Sequence, residues 1–209
     1  MVLSTAAWAV WSLLLGRYTS EENVGFGVLL SGRSGALSIV ETLVGQTLNV
    51  LPTRVNISRG KPVSDWLREI WDIQVELSRY EHTSQDKVRE WWDIPPGGPL
   101  FESYLTVQNF PGVKESIGKS GRSSTGMNRR AHLYMAQMEY PLRLDLYPGT
   151  ELCFIMHYYR RSFCDDSIKR MIDDFHSVLL ELIENPDQTV EELMAVIDVS
   201  HDKKQLKVI

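Results

Sequence analysis

Apolar positions along the chain fall into short blocks separated by polar, Gly-rich and Pro-rich breaks. Val2 to Leu15 (VLSTAAWAVWSLLL) is uncharged and apolar on every side, which predicts a helix buried in a core. The run is shorter than the roughly 20 apolar residues a membrane span needs. It also lacks the basic stretch and small-residue cleavage site of an export signal, so the reading is a soluble protein that begins with a core helix. Val24 to Leu30 (VGFGVLL) reads as a buried strand. Thr47 to Ile57 (TLNVLPTRVNI) is strand-like, and Pro52 within it removes a ladder donor, which implies a sheet edge or a bulge. Val63 to Tyr80 has helical period, with Trp66, Ile70, Ile73, Leu77 and Tyr80 on one stripe and Ser64 as the expected N-cap.

Ser84 to Trp92 predicts a shorter helix, stopped by Pro95-Pro96-Gly97-Gly98-Pro99. Glu102 to Phe110 reads as a strand. His132 to Tyr147 and Glu151 to Tyr159 read as two more, joined at Pro148-Gly149. Between them, Pro111 to Arg130 is poor in apolar residues, rich in Gly and Ser, and basic, which suits a functional or mobile loop. Asp165 or Asp166 is expected to cap a long helix carrying Ile168, Ile172, Phe175, Leu179 and Leu182, ended by Asn185-Pro186. Thr189 with Glu192 forms the signature of a capping box. Strands and helices alternate without a strict βαβ rhythm. The prediction is an α/β (α+β) two-layer sandwich, a mixed sheet with helices packed on it.

Composition narrows the class. The chain has 209 residues with 43% apolar and 10% aromatic content, enough for a real core and too hydrophobic for intrinsic disorder. Its 22 basic residues against 27 acidic ones give a net charge of −5, which argues against a nucleic-acid partner. Two cysteines, Cys153 and Cys164, make no disulfide framework and point to a reducing, cytoplasmic setting.

Candidate chemistry is sparse. Five histidines include no pair at metal-ligand spacing, so no metal site is expected. No G-x-S-x-G elbow is present. Gly118-Lys119-Ser120 has the ending of a phosphate-cradling loop, but Val113 stands where the first Gly belongs and no apolar helix follows. Asn49 is different, because it sits among apolar neighbours. A buried Asn needs hydrogen-bond partners, so it either ties down backbone or faces a channel.

Val44-Gly45-x-x-x-Asn49-x-Leu51-Pro52-x-Arg54 resembles a motif in the C-terminal half of nonribosomal peptide synthetase condensation domains. Other stretches resemble the family in the same order: Ala6-Ala7-Trp8-Ala9 through Arg17-Tyr18; Gly27 through Ser31-Gly32-Arg33; and Tyr80-Glu81-His82-Thr83-Ser84 with Trp91. They are followed by Pro99-Leu100-Phe101-Glu102 with Val107 to Pro111, Tyr140-Pro141-Leu142 and Asn185-Pro186. The resemblance runs to about Ile197 and divides the chain into a lobe, residues 1–197, and a charged tail or linker, 198–209. It implies one chloramphenicol acetyltransferase-like lobe of a two-lobed fold with a tunnel between the lobes. There the acceptor amine attacks the donor thioester. Both substrates ride on the phosphopantetheine of a peptidyl carrier protein, and no cofactor is bound directly.

The family's catalytic signature, H-H-x-x-x-D-G, is missing. Met156-His157-Tyr158-Tyr159 is the nearest string, and it makes His157 either a candidate catalytic residue or a relic of that site by pseudosymmetry. The resemblance places Asn49 near the tunnel and gives Arg33 a place in its wall or in the turn alone. Gln46 and Thr47 depart from the larger apolar residues the family favours. The implied partners are the N-terminal lobe, a peptidyl carrier protein and, through an exposed inter-lobe face, a second copy. No nucleic acid or membrane is implied. Three readings follow: a C-terminal lobe inactive by itself, a non-catalytic carrier-binding or self-associating module, and a small acyltransferase using His157 between identical subunits.

Overall fold

The run that reads as apolar all round forms α1, Leu3–Thr19, in a computed structural model that describes residues 2–33, 44–45, 47–95, 98–108, 140–149 and 151–197. The helix is covered on every side, with Ala7, Ala9, Val10, Trp11, Leu13 and Leu14 fully buried. The following elements are β1 (Asn23–Leu30), β2 (Asn49–Asn56), α2 (Val63–Ser78), α3 (Gln85–Trp91), β3 (Ser103–Val107), β4 (Leu142–Tyr147), β5 (Cys153–Tyr158), α4 (Asp165–Glu184) and α5 (Val190–Met194). The expected loop at Pro111–Arg130, the first part of the His132–Tyr147 strand and the tail from residue 198 lie outside the described residues.

The strands make one mixed sheet in the order β2-β1-β3-β4-β5. β1 runs antiparallel to β2 and parallel to β3, β3 runs parallel to β4, and β4 and β5 form an antiparallel pair around Pro148-Gly149. Pro52 therefore sits on an edge strand, where its missing N–H costs least. Alternation assigns the faces. Val24, Phe26 and Val28, with Leu142, Leu144 and Leu146, point at the helices and join α1, α2, α4 and α5 in the main core. A second, smaller cluster of Leu51, Val88, Leu100, Phe101 and Tyr140 forms where the chain after α2 turns around the β2 edge.

Two helix starts differ from the sequence expectation, each for a visible reason. Ser64 lies inside α2, whose N-cap is Pro62. The start is held by an antiparallel bridge of Pro62 to Thr189, with Val63 N–H donating to the Gln188 carbonyl at 2.9 Å. The N-cap of α4 is Cys164, and Asp165 opens the first turn. The Asp165 carboxylate accepts from the Tyr158 hydroxyl and from Arg160, which leaves it no backbone amide to cap. Thr189 and Glu192 close the capping box as the spacing predicts, with both reciprocal bonds present. The α2 stripe is deepest at its start. Trp66 and Ile70 are buried and Trp66 Nε1 donates to the Asn56 carbonyl at 2.8 Å, whereas Tyr80 lies past the helix end and is exposed.

Gly27 shows how tightly the second sheet face is covered. A Cβ placed there would lie 2.3 Å from the Phe101 ring, which is itself stacked on Tyr140 at a centroid distance of 4.3 Å. Gly27→Ala is expected to cost about 1–3 kcal/mol by overpacking. Combining it with Phe101→Leu should recover much of that loss, as read from urea denaturation midpoints.

Candidate functional site

Two clusters of polar side chains are built onto the sheet. The first lies at the C-terminal end of β1. Leu30 pairs with Asn49, so the turn after β1 and the start of β2 share one corner. Gly32 adopts φ +63°, and a Cβ there would fall 2.0 Å from the Thr47 carbonyl oxygen, so the turn needs glycine on both counts. Thr47 Oγ1 donates to the Ser31 carbonyl at 2.8 Å, and Arg33 N–H donates to Ser31 Oγ at 3.2 Å. Arg33 itself is exposed at this corner.

Asn49 uses its amide to hold backbone. Its Nδ2 donates to the carbonyls of Glu81 at 3.0 Å and Thr83 at 2.7 Å, pinning the link between α2 and α3 onto the sheet. Gln85 continues the seam: its Nε2 donates to the Val50 carbonyl and its Oε1 accepts from the Tyr140 hydroxyl. Around the same edge, Leu51, Pro52, Leu77, Tyr80, Trp91 and Trp92 line an apolar groove of about 230 Å³.

The second cluster is one that sequence reasoning missed. Asp145, on the β4 face turned away from the main core, is fully buried. Its Oδ1 accepts from Arg143 Nε at 2.6 Å and from Thr106 Oγ1 at 2.9 Å, and His157 Nε2 lies 3.3 Å from Oδ2. Gln108 Nε2 donates to Thr106 Oγ1, and the Arg143 guanidinium stands 5.4 Å from the Tyr104 ring centre. Burial pushes the Asp145 carboxyl up, but hydrogen bonds from His157 and Arg143, the Arg143 charge and Thr106 outweigh it and hold the group below the ordinary carboxylate range. Burial likewise pushes the Tyr147 hydroxyl up, and the nearby Asp145 charge adds to it. The only sequence trace of this network is the R-x-D spacing of Arg143 and Asp145, which puts both on one face of a strand. In a strand of alternating Leu and polar residues that pattern reads as an exposed face.

His157 therefore has an orienting carboxylate, a partner that no local motif around it signals. It does not meet Asn49. It pairs with Arg143 at the start of β4, and four strand steps separate β5 from β2, about 19 Å by strand spacing alone. Asn49 and Arg33 share a corner, and His157 is on the far side of the sheet. Among the described residues no group of three His, Cys, Asp or Glu side chains could hold a metal ion, and no helix is long and apolar enough to cross a membrane.

The family model described as Condensation domain matches residues 2–206. The chain belongs to the condensation domain family. It is 32% identical over 209 residues to one of the linear gramicidin synthase proteins of Brevibacillus parabrevis, covering 100% of this chain and 3% of that protein. It is 28% identical over 196 residues to a surfactin synthase protein of Bacillus subtilis, covering 94% of this chain and 15% of the relative. This condensation-domain chain thus spans a small fraction of the length of these relatives. Among solved structures, a four-domain nonribosomal peptide synthetase bound to AMP and glycine superposes with a TM-score of 0.75 at 16% identity, over 92% of this chain and 15% of that one. A starter condensation domain of rhizomide synthetase, in complex with C8-CoA, superposes with a TM-score of 0.67 at 19% identity, over 90% of this chain and 42% of that one. The mixed sheet and its helices have the chloramphenicol acetyltransferase-like architecture of these condensation domains.

Two outcomes test the clusters. Because the folded Asp145 carboxyl sits below its unfolded value near 4, its contribution is present in full above that value and is lost as pH falls through the folded one. Asp145→Asn is expected to cost about 3 kcal/mol at neutral pH. The gap from the parent should close in acid, as read from thermal midpoints across a pH series. Asn49→Ala strands the Glu81 and Thr83 carbonyls and should cost about 1–2 kcal/mol. It should also speed amide exchange across residues 81–85, measured by mass spectrometry, and Asn49→Asp, which cannot donate, should do no better.

Proposed function

We propose that this chain is the C-terminal lobe of a condensation domain that joins carrier-bound aminoacyl or peptidyl thioesters. The observation that carries the reading is one of extent: nearly the whole chain matches the fold, yet it accounts for 42% of a solved condensation-domain chain. The motif order along the sequence supports the C-terminal half, and the absence of two adjacent histidines anywhere in the 209 residues agrees with it. In this reading residues 1–197 are the lobe and 198–209 a charged tail or linker, and the protein works in the cytoplasm.

The lobe's contribution is positional. Asn49 clamps the segment between α2 and α3 beside the β1–β2 corner, which gives the tunnel one stiff wall, with Arg33 on the same corner at its edge. The acceptor amine attacks the donor thioester carbon, a C–N bond forms and a C–S bond breaks. The phosphopantetheine thiolate leaves with the proton that the amine gives up. The base that relays this proton belongs to the N-terminal lobe, and His157, held by Asp145 across the sheet, is structural here. A carrier protein docks on the assembled pair of lobes.

The exposed Tyr80, Trp91 and Trp92 around the apolar groove favour a second reading, a non-catalytic module that binds a carrier protein or a second copy of itself. One reconstitution separates the two. The chain is mixed with a separately made N-terminal lobe carrying H-H-x-x-x-D-G and with two aminoacyl-loaded carrier proteins, and dipeptidyl carrier is followed by mass spectrometry. The lobe reading expects product only when both halves are present, with His157→Ala within about twofold of the parent. No association between the halves, alongside dimerisation of the chain in size exclusion, would support the module. Acyl transfer by the chain alone, abolished in His157→Ala, would overturn both.

A further inference from the structure

We infer that the outer edge of β5 is an interface for a second copy of this chain, paired antiparallel about Met156. The two edges of the sheet are built differently. β2 is guarded: Pro52 offers no N–H, Arg54 is exposed, and the Val50 carbonyl is taken by Gln85 Nε2 at 3.0 Å. Proteins ordinarily blunt an edge strand with such devices, because its unpaired backbone groups template another strand. β5 (CFIMHY) has none of them. It carries no proline, lysine, arginine or carboxylate, and no described strand pairs with its outer side. Five of its six residues keep partial exposure, so a partner can reach the edge.

Backbone parity and charge select the occupant and its register. Tyr159 N–H donates to the Pro141 carbonyl at 2.9 Å, which extends the β4–β5 register by one residue. By alternation, Cys153, Ile155 and His157 also turn their backbone groups to β4, and Phe154, Met156 and Tyr158 turn theirs outward. A second β5 laid antiparallel with Met156 on the partner's Met156 sets Phe154 on the partner's Tyr158, and every outward residue finds a pair. A slip of two residues leaves Phe154 or Tyr158 facing beyond the end of the partner strand. The same register brings Glu151, just before the strand, to the partner's Arg161, just after it, and the two-fold repeats that match. Both side chains are exposed and neither makes an ion pair with a described residue, while the Arg161 guanidinium rests 4.7 Å from the Tyr159 ring centre. Neighbouring Arg160, by contrast, is held by Asp165 at 3.1 Å. α4 runs antiparallel to β5, with Asp165 beside Tyr158 and the His176 ring 6.4 Å from Phe154, and exposes Leu180 and Ile183 on the stripe of His176. An unrelated extended peptide could use the backbone edge, but only a second β5 is complementary to this one in both backbone and charge.

The interface lies at the opposite edge of the sheet from the Asn49 corner and the β2 groove, so it stands or falls independently of peptide-bond formation. The test is sedimentation velocity of the full chain over a dilution series. The parent is expected to be a dimer that dissociates on dilution. Glu151→Arg and Arg161→Glu, both at exposed positions outside the strand, each set like charges together and should weaken the dimer about tenfold. The double exchange Glu151→Arg/Arg161→Glu should restore the affinity of the parent. Tyr159→Cys should cross-link on mild oxidation to the partner's Cys153, which the same register sets opposite it, and the cross-link should vanish when Cys153→Ser is added. A monomer at all concentrations up to about 0.1 mM would overturn the assignment, whether the edge is bare or covered by another segment of the same chain. So would a dimer indifferent to both charge reversals, or one lost in Trp91→Ser, which would put the contact at the β2 groove.

Discussion

Eleven of the seventeen residues of α1 are buried, and they lie all round the helix, so no arrangement of the chain can leave one side of α1 in water. Three of its small residues, Ala6, Ala7 and Ala9, let neighbouring backbone approach, while Trp8, Trp11, Leu13 and Leu14 supply volume. Fully burying a large apolar side chain is worth roughly 1.5–3 kcal/mol, so this one helix can drive much of the collapse. Its polar interruptions are neutralised locally: Ser12 Oγ donates back to the Trp8 carbonyl, and Thr5 Oγ1 donates to Gln74 Oε1 on α2. The sheet must therefore cover one side and α2, α4 and α5 the others, which accounts for one sheet face being committed to helices.

The opposite sheet face is built by different physics. Near β2 it is sealed by aromatic stacking, with Phe101 lying where Gly27 has no side chain and Tyr140 reaching over to Gln85. Towards β5 it is sealed by charge. A carboxylate with no exposure would be costly alone, and Asp145 is tolerated because a guanidinium, an imidazole and a hydroxyl converge on it. Such a network contributes more to fixing side-chain positions than to net stability, since an apolar replacement of equal volume would avoid the desolvation altogether. It orders Arg143, Thr106 and His157 on one patch of the sheet.

The local elements were legible in the sequence wherever one residue's chemistry forces the outcome. Pro52 required an edge or a bulge and lies on an edge; Thr189 and Glu192 closed their box; the all-apolar start became a buried helix. The N-caps expected at Ser64 and at Asp165 or Asp166 are instead Pro62 and Cys164, because tertiary bonds override local capping preference. A strand-like bridge at Pro62 sets the first, and Tyr158 with Arg160 engages the carboxylate at the second. Asn49 stood out as a polar residue among apolar ones, but the sequence left both its readings open. The bonds to Glu81 and Thr83 come from residues more than thirty positions away, beyond the reach of local patterning. Asp145 escaped notice for the opposite reason. Alternation in β4 marks it as outward-facing, and that is correct; what alternation cannot tell is that the outward face is itself covered.

The two clusters bear on how chemistry is divided in this family. A general base must stand within hydrogen-bond reach of the proton it takes. Here the histidine with an orienting carboxylate and the asparagine that stiffens the β1–β2 corner are separated by most of the width of the sheet. No rotamer change closes such a gap, because both residues sit on hydrogen-bonded strands of one sheet. A reaction centred on the Asn49 corner therefore cannot take its base from His157; the imidazole carried on that corner is His82, whose Nε2 lies 3.6 Å from the buried Glu81 carboxylate.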